Sequence, residues 1–177
     1  MSTLRTPISH LDHQTGPPAG TVTLVEYGDY QCSHCGYAYP LIKKLGNQFR
    51  GDLLFVFRNF PLQESHPEAM IAAQSAEAAA LQGKFWEMHD MIYEHQDELS
   101  AKNLLTFAAS LELDVDRFQK DLNNLNIIRK IESDFESGIR SGVNGTPTFF
   151  INQQRLDSYD ESYQSLEEAV MAALQPS

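Results

Sequence analysis

The segment Leu53–Phe60, Leu-Leu-Phe-Val-Phe-Arg-Asn-Phe, is nearly continuous in apolar residues. A strand with one wet face alternates apolar and polar side chains. A run without alternation reads as a strand buried on both faces. Helices must therefore lie above and below the sheet that contains it, and the rest of the chain has to supply them.

It does so in a definite order. Thr21–Tyr27 is rich in β-branched residues and reads as a strand. A helix is expected from Cys32 to Phe49, kinked at Pro40. After Leu53–Phe60 the pattern turns helical for about 80 residues. Helices are expected over His66–Gln82, over Lys84–His95 with Phe85, Met88 and Ile92 inward, and over Ala101–Leu111. Trp86 is expected in the core with Phe85 and Met88. Asp114 can cap a fourth helix with Val115, Phe118, Leu122 and Leu125 on its core face, and Ile128, Ile131, Phe135 and Ile139 continue the spacing in a fifth. Strand character returns at Thr148–Ile151, with Arg155–Asp157 able to pair back after Asn152-Gln153. Ser158 and Glu161 form a capping-box pattern before a last helix with Tyr163, Leu166, Val170 and Leu174 inward. The expectation is an α/β fold with a mixed sheet. Its core is 21–62 and 143–177, a helical insertion occupies 63–142, and 1–20 is an irregular arm closed by a Gly/Pro boundary at 16–20.

Thirteen basic against 24 acidic residues leave a net charge of −11 in 177 residues. With no basic run, the chain has no footprint for nucleic acid or an anionic membrane. No apolar stretch approaches a membrane span. The first residues lack the apolar core of a secretory signal, so a cytoplasmic location is expected, or a periplasmic or extracytoplasmic one if a leader has been removed.

The two cysteines of the chain are Cys32 and Cys35. On a helical first turn, positions three apart share a face within disulfide reach. Cys32 falls where a loop hands over to a helix, and unpaired N–H groups there stabilise a thiolate. His34 adds a cation between the cysteines. Cys35, one turn deeper, is expected to be buried and protonated, as a resolving thiol would be. A structural disulfide of this size would close little chain entropy. Zinc needs four ligands, and neither a second cysteine pair nor a histidine pair at ligand spacing is present, so no metal or cofactor is expected. Glu26, in an otherwise apolar strand, is either a strand-end carboxylate reaching water or a buried acid that handles the Cys35 proton. Tyr27, Tyr30 and Phe149 flank the site as candidate groove residues.

The segment Val25–Cys35, Val-Glu-Tyr-Gly-Asp-Tyr-Gln-Cys-Ser-His-Cys, resembles the active-site segment of DsbA-type thioredoxin-fold oxidoreductases. Gly145–Phe150, Gly-Thr-Pro-Thr-Phe-Phe, resembles that family's cis-proline loop. The resemblance runs from about residue 15 to 175 and extends to DsbA-like domains fused to sodium–proton antiporters. It implies a thioredoxin-like fold with an α-helical insertion, and a cis bond before Pro147 that sets Thr146 opposite Cys32 to hold an extended substrate chain. It also implies an acid at Glu26. Ser33 departs from the commoner Cys-Pro-His-Cys and leaves an N–H where proline would have none.

The expected function is thiol–disulfide exchange on protein or peptide thiols and disulfides, as reductase, oxidase or isomerase, with an electron-exchange partner. Cys32, Ser33, His34, Cys35, Glu26, Thr146 and Pro147 make the candidate site. Rival readings are a redox-sensing binding module and a glutathione-dependent isomerase or transferase on the same fold.

Overall fold

In the computed structural model, which describes residues 2–18 and 21–176, the apolar run becomes β3 (Leu53–Asn59), buried at every position. It pairs in parallel with β2 (Val22–Gly28), Val25 opposite Val56 and Glu26 opposite Phe57. On the other side of β2 lies β4 (Thr148–Ile151), antiparallel, with Glu26 opposite Phe149. The hairpin strand β5 (Gln154–Arg155) completes one edge, and β1 (His13–Thr15) the other, for an order β1-β3-β2-β4-β5.

The double burial of β3 is visible in its alternation. Leu53, Phe55 and Phe57 join Val22 and Leu24 in one core, while Leu54 and Val56 join Val25 and Tyr27 in another. The first core is covered by α1 (Ser33–Gln48), α7 (Tyr163–Leu174) and the helical block of α2 (Ala69–Ala80), α3 (Phe85–Glu94), α4 (Ala101–Ser110) and α5 (Val115–Asp121). The second is covered by α6 (Leu125–Arg140) through Phe135, with Leu4 and Ile8 of the N-terminal arm. No described helix is long and apolar enough to cross a membrane.

Four expectations need correction. The arm is not irregular throughout: β1 pairs antiparallel with β3. Arg58 on β3 fixes it by donating to both carboxylate oxygens of Asp12, at 2.8 and 2.9 Å, and to the carbonyls of Thr6 and Pro7. His13 adds a 2.7 Å contact to the Glu77 carboxylate. Ala19 and Gly20 of the expected boundary lie outside the described residues.

The inward face of the fourth and fifth helices also differs. Leu125 opens α6 and is 63% exposed, and Ile139 is 55% exposed. The buried face is Ile127, Ile131, Asp134, Ser137 and Gly138. Gly138 decides this rotation, because a Cβ there would meet the Phe60 ring at 2.7 Å and the Tyr27 ring at 3.0 Å. Asp134 reinforces it by accepting from the Asn59 N–H and side-chain amide, each at 3.0 Å.

The last helix is capped by Ser162, whose Oγ accepts from the Ser165 N–H, not by a Ser158–Glu161 box. The hairpin turns at Asn152-Gln153, both left-handed at φ 45° and 74°, so Gln154–Arg155 pair back one residue earlier than expected.

Candidate active site

Strand β2 ends at Gly28, and three loop residues lead to Cys32, which stands at the N-cap of α1 with extended backbone (φ −71°, ψ 123°). No side-chain oxygen caps this helix, and no acidic residue occupies its first turn. The sulfur therefore sits where the unpaired N–H groups point. Both cysteines are free thiols. Cys32 is held down to about 5 from an ordinary 9.0. The largest cause is the hydrogen bond from the Cys35 thiol, which works with Thr146 and the N–H groups of Cys35 and His34 against the cost of burial. As a thiol, Cys32 Sγ donates to the Thr146 carbonyl at 3.5 Å.

Cys35 behaves oppositely. It is wholly buried, and burial pushes its thiol well above the usual range, helped by the hydrogen bond to Cys32 and the Glu26 carboxyl. The Asp29 N–H donates to its sulfur at 3.5 Å. One thiol of the pair is thus ionised at neutral pH and the other protonated.

Glu26 is 2% exposed, not a carboxylate reaching bulk water. Burial first, and the Cys32 charge second, raise it from 4.5 to about 8. Its Oε1 has no hydrogen-bond partner among the described residues. The carboxyl borders a cavity of about 330 Å³ between α1, β3 and α3, lined also by Tyr39, Phe55, Trp86 and Tyr93. Trp86, expected in the core, is half-buried and forms part of this wall.

Thr146-Pro147 is a cis bond, and it brings Thr146 to Cys32. Ser33 and His34 are exposed on the first turn of α1. His34 Nδ1 lies 2.5 Å from the Glu161 carboxylate, whose hydrogen bond raises the imidazole pKa. Glu161 reaches it from a left-handed backbone position (φ 69°). Tyr27, Tyr30 and Phe149 do not line a groove: each is at most 1% exposed. Their rings fill the core, with Tyr30 Oη bonded to His89 Nδ1 at 2.9 Å and Tyr27 Oη to Ser137 Oγ at 2.8 Å.

Sequence reasoning passed over the residues that hold the loop. Asp29, 1% exposed, accepts from the N–H groups of Gln31 and Leu62 at 2.8 and 2.9 Å and contacts His66 Nδ1 at 2.8 Å. Its carbonyl accepts from the Cys32 N–H. An aspartate two residues before a backbone turn was a readable sign of the first of these bonds. Gln96, which donates to the carbonyls of Tyr30 and Cys32, carries no local signal at all.

Comparison with known proteins agrees with this geometry. The family model described as Thioredoxin matches residues 9–172. The Na(+)/H(+) antiporter NhaA 3 of Salinispora tropica is 43% identical over 162 residues, which is 92% of this chain and 24% of that protein. The chain thus spans about a quarter of the length of the curated relatives it matches. Among solved structures, a thioredoxin-like oxidoreductase from Silicibacter pomeroyi superposes with TM-score 0.85 at 25% identity, covering 96% of this chain and 95% of that one. Oxidised BdbD from Bacillus subtilis superposes with TM-score 0.87 at 21% identity, covering 99% of each chain.

Proposed function

This chain belongs to the thioredoxin family, with the fold of its DsbA-like members, and we propose that it is an oxidoreductase exchanging dithiol for disulfide with protein or peptide substrates through Cys32 and Cys35. The observation that carries the reading is the division of the pair: an N-cap thiol held down to about 5 beside a buried thiol pushed up. That is what a nucleophile and a resolving group require.

In the reducing direction, the Cys32 thiolate attacks one sulfur of a substrate disulfide. The substrate S–S bond breaks, a Cys32–substrate bond forms, and the other substrate sulfur leaves as thiolate. Thr146, opposite Cys32, offers backbone groups to an extended chain, as edge pairing does, and cis-Pro147 shapes that loop. Forming the mixed disulfide removes the negative charge at Cys32. That charge is one cause of the raised Glu26 pKa, so Glu26 now releases its proton to solvent more readily, and the carboxylate so formed accepts the proton of Cys35. The Cys35 thiolate then attacks Cys32 Sγ, the Cys32–Cys35 bond forms, and the second substrate thiolate leaves. Two electrons pass from the pair to the substrate. The reverse sequence oxidises a dithiol.

His34 and Ser33 flank the nucleophile on the open side, where they set the pair's potential. The antiporter named among the relatives is about four times the length of the matched segment.

The test is catalytic reduction of insulin disulfides with a thiol reductant, together with trapping. Replacing Cys35 with Ser should accumulate mixed disulfides on Cys32, and Cys32→Ser should abolish both trapping and turnover. Trapping by the Cys32→Ser variant would reverse the roles. A single stoichiometric reaction without turnover would make the protein a redox sensor.

A further inference from the structure

The helical block, with Leu62 just before it, touches the active-site loop at every residue from Asp29 to Cys32. Asp29 is bound by the Leu62 N–H and His66, Tyr30 Oη by His89, and Gln31 Oε1 accepts from the Glu68 N–H at 2.7 Å. Most of these contacts fix side chains. One fixes the peptide of the nucleophile itself. Gln96, in the turn after α3, places Nε2 at 2.8 Å from the Tyr30 carbonyl and at 2.7 Å from the Cys32 carbonyl. A primary amide has two N–H donors, and both are used here. The Cys32 carbonyl also accepts from the Gly36 N–H at 3.0 Å, so its two lone pairs are filled.

The amide reaches this position only because residue 36 has no side chain. A Cβ at Gly36 would stand 2.0 Å from Gln96 Oε1 and 2.7 Å from its Cδ. Gly36 has a negative φ and needs no glycine for its backbone. It lies in the first turns of a helix, where glycine weakens the helix by about 1 kcal/mol relative to alanine. The space it leaves is occupied by the Gln96 amide.

We infer that Gln96 is a positioning residue for thiol–disulfide exchange, an amide clamp by which the helical block holds the Cys32 peptide, and that Gly36 is glycine in order to admit it. The inference rests on the function proposed above. By holding the carbonyls of Tyr30 and Cys32 in these bonds, the clamp leaves the N–H groups of His34 and Cys35 directed at the thiolate. Without it, the Cys32 carbonyl keeps only its bond from the Gly36 N–H and the Tyr30 carbonyl loses the Gln96 donor, so the loop is held less firmly, and any turn of a carbonyl dipole toward the sulfur opposes ionisation.

The experiment compares the wild type with Gln96→Ala, Gln96→Glu, Gly36→Ala and the Gly36→Ala/Gln96→Ala double variant. Two readouts are taken on the reduced proteins: the rate of Cys32 alkylation by iodoacetamide at pH 4, below the Cys32 pKa of about 5 so that the rate follows the thiolate fraction, and the pH midpoint of thiolate absorbance. Loss of a hydrogen bond of ordinary strength should slow alkylation by roughly two- to tenfold and move the midpoint upward. Gln96→Glu is isosteric but loses one donor when protonated and both when ionised, so it should also slow alkylation. Gly36→Ala should slow alkylation as Gln96→Ala does even though it favours the helix, and in the Gln96→Ala background it should add nothing. Multiplying losses in the double variant, or Gly36→Ala or Gln96→Glu proteins that react like wild type, would overturn the clamp. Alkylation needs no protein substrate. A wild type that fails to reduce insulin would therefore sink the proposed function and leave the clamp's own result readable.

Discussion

Replacing Glu26 with Gln should make the protein more stable as pH rises, and less active. The carboxyl is 2% exposed and moves from 4.5 in an ordinary setting to about 8 in the fold. Between those values the unfolded chain has released the proton and the folded chain still holds it. The folded state therefore binds more protons, and its stability falls as pH rises through this window. The cost is below about 1 kcal/mol at pH 5 and roughly 4 kcal/mol at pH 8. The amide that replaces the carboxyl does not titrate. It is buried without a carboxylate's charge, an offset of about 1–3 kcal/mol that is the same at every pH. The stability of Glu26→Gln minus that of wild type should thus grow by roughly 3–4 kcal/mol from pH 5 to pH 8. Urea unfolding of both reduced proteins at unit steps of pH measures this directly. With Cys35 in place, the same variant should slow resolution of the transient mixed disulfide, because Cys35 loses its proton acceptor. Parallel stability curves would mean that Glu26 is ionised in the fold and is no proton store. An unchanged decay rate would remove it from the mechanism.

Three further outcomes follow from the same structure. In the Glu26→Gln background, reduced protein should gain stability over oxidised protein by roughly 2 kcal/mol from pH 4 to pH 7. A thiol held down to about 5 contributes fully only above its unfolded pKa and loses that contribution as pH falls through 5; a pH-independent difference in urea midpoints refutes the thiolate. Asp12→Ala should cost about 3 kcal/mol, because it strands the buried Arg58 guanidinium without its carboxylate, and thermal melts showing a near-neutral change would mean the arm is not held through this pair. Glu161→Gln should return the His34 pKa toward its ordinary value, since the Glu161 hydrogen bond is the first cause of its rise; imidazole proton shifts followed across pH would show no movement if that contact does not persist in solution.

Features that depend on neighbours in sequence were legible without a structure. The unbroken apolar run at Leu53–Phe60 required cover on both faces, and β3 has it. The Cys32–Cys35 spacing after a strand and a short loop placed one sulfur at a helix start and the other a turn inside. Asp114 was readable as a cap because a capping side chain binds within three residues. Long-range contact decided the rest. Glu26 could be read as wet or buried, and only the packing of helices on the face of the sheet that also carries Leu24 made it buried. Ile139 fits the apolar period of α6, yet Gly138 must face Phe60 and Tyr27, which turns Ile139 outward. Glu161 looked like half of a local cap and instead bonds His34, 127 residues away in sequence. Gln96 lies 64 residues from the carbonyl it holds. Periodicity and capping report only what a residue does within a few positions of itself. A polar side chain's partner across the fold is set by how whole elements pack, and no pattern in the surrounding residues encodes it.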